Sequence, residues 1–349
     1  MNVKQTVYLH IGYHKTGTTS LQSLLDQNAR DLLAMGVFYP DTIGDGKRSY
    51  FRKHLQFFLE LKAAHSSGGD LTAPVRAMSG AILASGAPIA VISEESLSGI
   101  SEPILDALAT LRNDFNVKVV AVLRGQDSFL QSFYQQSIRD FGEMRDFTDF
   151  IRGAEWQRLF YDTAMRRWAD RFGANNLHVL SYELSDDGNT VIPKVLDILL
   201  GGRNAGFIDT SRVWNKSLPA ICYETIRFLN RSDAPEAERR MVYSALRDYV
   251  VSREFSETRL PPRVLAKTYL TPEISQTISN AFAASNARTT AMFFGGANPF
   301  PDMMPPHPSG PGALADLAAA ATTFALKDMI GLLGHILANP RPKKPRSGA

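Results

Sequence analysis

The sequence predicts an α/β protein with a central parallel sheet flanked by helices and a mainly helical C-terminal half. Three observations carry this. Short β-branched apolar runs at residues 7–11, 89–92, 117–123 and 177–181 read as buried strands. Helical spacing fills the chain between and after them, at about residues 104–112, 128–141, 157–172 and 191–200. Strands that alternate with helices form βαβ units, and such units build parallel sheets covered on both faces.

The first unit is the most legible. Residues 7–11 form a strand ending at Gly12, and a loop follows. Leu21, Leu24, Leu25, Leu32 and Leu33 then recur at helical spacing up to Gly36, where a helix stops. From about residue 217 to 294 the pattern is helical, with no further strand. Residues 298–312 turn proline-rich, so an α/β domain over 1–300 is expected. For residues 301–349 the sequence predicts a linker, an Ala/Leu-rich helix at 313–338 and a basic tail, PRPKKPR.

Composition excludes several classes. With 44% apolar and 21% charged residues in 349, the chain is that of a globular protein. Arg341, Lys343, Lys344 and Arg346 account for the basic excess. Of 38 basic side chains, 34 lie in residues 1–340 against all 35 acidic ones, so the body carries no basic face for nucleic acid. A single cysteine, Cys222, excludes an internal disulfide framework and a multi-cysteine zinc site. No signal-peptide pattern opens the chain and no uncharged apolar run reaches 18 residues, so a cytoplasmic protein is expected. The 313–338 helix with its basic end is a candidate for peripheral contact with an anionic membrane at the inner face, against an oligomer contact or a loose extension.

The chemistry concentrates in residues 10–22, HIGYHKTGTTSLQ. A strand that turns through glycines into a helix offers free backbone N–H groups and the positive helix end to an anion. Gly12 and Gly17 let the backbone come close, and Thr16, Thr18, Thr19 and Ser20 add hydroxyls. The nucleotide triphosphatase loop is G-x-x-x-x-G-K-[ST]. Here Gly12 and Gly17 keep that spacing, Thr18 stands in the lysine place, and the only lysine, Lys15, is inside the loop.

This string resembles the loop of sulfotransferases that use 3′-phosphoadenosine 5′-phosphosulfate (PAPS). That loop reads K-[TS]-G-T-T and, in the bacterial branch, H-x-G-x-x-K-T-G-T-T-x-L-Q. A second segment, residues 119–137, VVAVLRGQDSFLQSFYQQS, resembles the family's 3′-phosphate element, an arginine ending a strand and a serine eight residues later. Arg124 and Ser132 take those places. An arginine fork suits a phosphate dianion, and the strand's C-terminal end is the rim where open α/β sheets bind ligands.

Weaker likenesses put Tyr182, in HVLSYE, near the adenine and match Asn215–Ser217, Ser285–Ala287 and the later NPFP, so the resemblance covers about residues 5–302. The Arg-Lys-Gly segment that completes the 3′-phosphate site in cytosolic relatives has no counterpart, which leaves one side of that pocket unassigned.

The resemblance implies a P-loop NTPase-like sulfotransferase architecture. It also implies transfer of a sulfuryl group from PAPS to a hydroxyl, or less readily an amine, of a carbohydrate, glycolipid or other hydroxylated acceptor. The product is adenosine 3′,5′-bisphosphate. Lys15 with the loop amides, Thr18 and Thr19 suits stabilisation of the leaving phosphate. No paired carboxylates resemble a magnesium site, so no metal is expected.

Three candidates stand for the acceptor's base. Glu94 and Glu95 end a strand on the same rim as Lys15, and the family's Ser-x-Glu-x-Leu singles out Glu95; His54 competes by its pKa. His10 and His14, four apart, straddle strand and loop and do not form a metal pair. The alternatives are a P-loop kinase acting on a small molecule, which needs a lysine at Thr18, and a non-catalytic nucleotide-binding module.

Overall fold

The computed structural model describes residues 4–13, 16–41, 54–182, 184–185, 188–189, 191–203, 218–233, 235–251 and 268–300. Lys15, His14, Asn215–Ser217 and the 301–349 extension lie outside these residues. The chain divides into two compact units. The first holds residues 1–129, 154–215 and 279–303, and the second holds 130–153, 216–278 and 304–349.

The first unit is built on a five-stranded parallel sheet of β1 (Thr6–His10), β2 (Val37–Phe38), β3 (Ile89–Ser93), β4 (Asn116–Leu123) and β5 (Leu177–Ser181), in the order β2-β3-β1-β4-β5. All are rich in Val, Ile and Leu because helices cover both faces. In register, Leu9 pairs with Ile92 and Val119, and His10 pairs with Ser93 and Val120. The C-terminal ends of β3, β1 and β4 therefore share one rim.

Strand alternation sends Tyr8, Val91, Val120 and Val122 to one face. There they pack with Leu21, Leu24 and Leu25 of α1 (Thr18–Gln27) and with Val191, Ile192, Val195, Leu196 and Leu199 of α9 (Val191–Leu199). Val7, Leu9, Ala90, Ile92, Val119 and Ala121, all buried, point the other way. Burial of each large aliphatic chain contributes about 1.5–3 kcal/mol before chain entropy is charged against it. α8 (Tyr161–Phe172), with Met165, Trp168 and Phe172 on one buried stripe, packs on β4 and β5 and against α5 (Glu102–Ala109).

The structure differs from the sequence expectation in its details. The first helix breaks at Asn28, whose side chain donates to the Leu24 carbonyl at 2.8 Å; α2 (Ala29–Ala34) continues. The expected 104–112 helix ends at Ala109 and tightens into a 3-10 turn, Thr110–Asn113. The expected 157–172 helix starts at Tyr161, after a 3-10 turn at Ala154–Leu159. α3 (Leu55–Ser67) and α4 (Thr72–Ser85) occupy a stretch where no helix was expected. β2 and the antiparallel pair β6 (Leu184–Ser185) and β7 (Gly188–Asn189) are two residues each, too short to leave a period.

The second unit takes in most of α6 (Gln126–Phe141), together with α7 (Phe147–Ile151), α10 (Ala220–Asn230), α11 (Glu236–Val251) and the start of α12 (Pro272–Phe293). Its core centres on Tyr134, whose ring meets Phe147, Phe150 and Tyr269 at 5.1–5.2 Å and whose hydroxyl donates to the Arg145 carbonyl at 2.9 Å. Cys222 is buried there, and burial pushes its thiol up to about 12.

Candidate functional site

The rim of the first sheet gathers the sequence's candidate residues because of the strand order. From β1 the chain leaves toward β2 on one side, and from β4 it leaves toward β5 on the other. Adjacent strands whose connections diverge leave a crevice at their C-terminal ends, the place where open α/β sheets bind ligands.

One wall of that crevice is the turn between β1 and α1. Gly17 enters α1 with φ 83°, a left-handed conformation that favours glycine. Gly12 is required for space, since a Cβ there would lie 3.0 Å from Thr18 Oγ1 and 3.2–3.3 Å from the His10 ring. The turn is drawn tight by hydroxyls. Thr16 Oγ1 donates to the Tyr13 carbonyl at 2.6 Å, and Thr18 Oγ1 reaches the same oxygen at 3.4 Å. Thr16, Thr18 and Ser20 are buried, and Thr19 is half-buried. The first amides of α1 follow directly, as an anion site needs.

The other wall is the end of β4. Arg124 is buried, and its guanidinium lies over the Tyr182 ring, 4.9 Å from the centroid. The Tyr182 amide donates to the Leu123 carbonyl at 2.7 Å, which fixes this stacking partner beside β4. Burial lowers the Arg124 pKa, opposed by Tyr182, Asp127 and Tyr161. Burial likewise raises the Tyr182 pKa, opposed by Arg124. Between the two walls, the Tyr13 ring stands edge-on to Tyr161 at 5.1 Å, and the Tyr161 hydroxyl donates to the Arg124 carbonyl at 2.7 Å.

The C-terminal part of the first unit braces this corner. Asn286 and Gln126 exchange amide hydrogen bonds at 2.6 and 3.1 Å. Ser285 and Arg288 both donate to Asp162, and Ser181 donates to the Pro299 carbonyl. Ser132 is half-buried on α6 within the second unit.

The acceptor-side candidates surround Ser93. Glu94 is buried, takes the Ser96 N–H on Oε1 at 3.1 Å, and caps the 3-10 turn Glu95–Gly99. Glu95 is half-buried at the first position of that turn. His54, fully buried, stands edge-on to Tyr39 at 4.9 Å. Because β2 stops at Phe38, the outer edge of β3 is open beyond Ala90. His54 closes it: Nδ1 accepts the Ser93 N–H at 3.0 Å, and the His54 amide donates to the Ser93 carbonyl at 3.3 Å.

Several residues of this rim carried no functional expectation. Ser93 Oγ meets His10 Nδ1 at 2.8 Å, and Gln22 Nε2 donates to the Ser93 carbonyl at 3.1 Å and to its hydroxyl at 3.3 Å. Burial pulls the His10 pKa down to about 4, against the pull of Glu95. Ser128, in the first turn of α6, is buried with a hydroxyl that has no hydrogen-bond partner among the described residues. The sequence signal for these is a polar residue closing an apolar strand, as His10 and Ser93 do.

Among the described residues no group of three or more His, Cys, Asp or Glu side chains lies together as a metal site. Nor is any described helix long and apolar enough to cross a membrane.

No family model and no curated protein matches the chain. Among solved structures, a sulfotransferase from Alicyclobacillus acidocaldarius is similar over 70% of this chain and all of that one, at 17% identity and a TM-score of 0.37. A likeness that distant bears on neither activity nor ligand.

Proposed function

We propose that the protein is a PAPS-dependent sulfotransferase acting on a hydroxylated acceptor, with a carbohydrate or glycolipid as the first class to test. The observation that carries this reading is the buried Arg124 guanidinium stacked on Tyr182, at the end of the strand beside the Gly12–Gly17 turn. The planar guanidinium fork suits a phosphate dianion. An aromatic ring next to it suits a purine, and the turn one strand away suits a second anion. Two anionic ends on one nucleoside match that spacing of chemistry.

The residues present fit such a donor. Gly12 leaves the turn's backbone bare where a Cβ would be crowded, and the Ser128 hydroxyl, four residues after Arg124, is buried with hydrogen-bonding capacity to spare among the described residues. PAPS brings an activated sulfuryl group on a phosphate leaving group. Lys15, with the α1 amides, Thr18 and Thr19, stabilises the charge that grows on that phosphate. Arg124 and Tyr182 hold the 3′-phosphate and the adenine. Of the three base candidates we assign Glu95, the position that the Ser-x-Glu-x-Leu pattern singles out.

A kinase reading is less well supported. Thr18 stands where the phosphate-binding lysine of a triphosphatase loop belongs, and its hydroxyl turns to the Tyr13 carbonyl. Calorimetry with adenosine 3′,5′-bisphosphate and with ATP/Mg²⁺ tests the choice. Preference for the bisphosphate is expected; preference for ATP overturns the proposal. A labelled-PAPS transfer screen against glycans then identifies the acceptor.

A further inference from the structure

His10 is an odd residue to close the central strand of a sheet. It is almost wholly buried, it was set aside above as a metal ligand, and the proposed transfer assigns it nothing. Its hydrogen bonds nevertheless determine where its proton sits. Ser93 supplies the reference points, because a backbone carbonyl can only accept and a backbone N–H can only donate.

Gln22 Nε2 reaches the Ser93 carbonyl at 3.1 Å, so the amide nitrogen of Gln22 faces Ser93. The same nitrogen donates to Ser93 Oγ at 3.3 Å. With a donor already aimed at it, the Ser93 hydroxyl satisfies the group by passing its own hydrogen to His10 Nδ1 at 2.8 Å. The chain Gln22 N–H to Ser93 O–H to His10 Nδ1 leaves the imidazole proton on Nε2. The opposite assignment would leave the buried Ser93 hydroxyl hydrogen without an acceptor among the described residues.

The Cε1–Nε2 edge of the ring lies against the turn, with Cε1 3.2 Å from the place of a Cβ at Gly12. Nε2 would lie 3.3 Å from that Cβ, a position that Thr18 Oγ1 also approaches to 3.0 Å. The imidazole edge and the threonine hydroxyl thus converge on the bare backbone at the entrance to α1. The ring is neutral there, since burial holds its pKa far below neutrality.

We propose that Ser93 and Gln22 lock His10 in its Nε2–H form, so that the ring serves as a neutral donor to the oxyanion bound at the Gly12 turn. This deepens the function proposed above and rests on that reading for the identity of the anion. A neutral donor is useful at such a place. It stabilises the charge of a bound anion, and its ring proton is not acidic enough near neutral pH to be handed to that anion. It also makes Gln22 and Ser93 positioning residues, acting only through His10.

The test uses the full chain labelled with ¹⁵N-histidine, its ring resonances assigned by H10Q and H54Q. Long-range ¹H–¹⁵N spectra are expected to show His10 with a protonated Nε2 and a bare Nδ1. Inorganic sulfate and adenosine 3′,5′-bisphosphate, titrated separately, are both expected to shift the Nε2 signal.

A protonated Nδ1 overturns the lock. Nucleotide binding that leaves the His10 signal still overturns the donor role while the proposed function stands. Sulfate moving the signal without any nucleotide binding overturns the proposed function and leaves the donor role standing. Movement by neither ligand overturns the donor role. As a check on mere structure, the glutamine nitrogen of H10Q reaches the place of Nε2 and the asparagine nitrogen of H10N that of Nδ1. H10Q should bind the bisphosphate within about threefold of the parent, and H10N about tenfold or more weaker. Equal binding by the two variants counts against the proposal.

Discussion

The Arg124 guanidinium lies over the Tyr182 ring, 4.9 Å from its centroid, although the two residues end different strands of the sheet. Each thereby limits the other's freedom, and under the proposed function the pair holds the adenine and the 3′-phosphate. The Arg124→Lys variant keeps the charge and loses the planar fork and the stack. Discrimination between adenosine 3′,5′-bisphosphate and adenosine 5′-phosphate should fall by about tenfold, ~1.4 kcal/mol. Titration calorimetry measures it, and unchanged discrimination removes Arg124 from the site.

At Gly12 the expected effect is steric. An alanine methyl would come within 3.0 Å of Thr18 Oγ1, which is anchored to the Tyr13 carbonyl and has little room to yield. Gly12→Ala should cost about 1–3 kcal/mol of folding stability and abolish measurable bisphosphate binding. Wild-type affinity in this variant would show that the turn does not contact the ligand.

Glu95 and His54 make opposite predictions in a turnover assay. Glu95→Gln removes the proposed base and should lower kcat by about 10² or more with nucleotide affinity unchanged. His54→Gln disturbs the open edge of β3, so it should lower the melting temperature more than kcat. If the glutamate variant turns over normally and the histidine variant does not, the assignment reverses.

Acid should expose the burial of His10. The folded protein favours the neutral ring, with a pKa near 4, while the unfolded chain takes up its proton near 6.5. The stability held above pH 6.5 is therefore lost as the pH falls toward 4, in total on the order of 3 kcal/mol. Urea unfolding of the parent and of H10Q between pH 7 and pH 4.5 measures it. The parent should lose more stability than the variant over that interval, and parallel curves would contradict the assigned burial.

Local pattern accounts for much of this picture. The strands at 89–92 and 117–123 were legible because β-branched runs buried on both faces leave no polar period. The turn at Gly12 and Gly17 was legible because anion chemistry there depends on backbone and on residue type within one short segment. α3 and α4 leave a weak period: between them they bury only Phe57, Leu61, Val75, Met78, Ser79 and Ile82, and apolar residues such as Leu59 and Leu83 stand exposed on the opposite faces. β2 is legible only in pairing, since two residues carry no period.

By itself the sequence determined the strand–turn–helix unit, the parallel α/β class and the residue types able to hold a nucleotide, all properties of contiguous segments. Only the tertiary structure decided that Ser93 stands between His10, Gln22 and His54, and that the ring of Tyr182 lies against Arg124. These pairings join residues from 39 to 83 positions apart. Strand order and register set such separations, and no local period encodes them. A proton's place on an imidazole depends on its neighbours across the sheet, so it became legible only once β1 and β3 lay side by side.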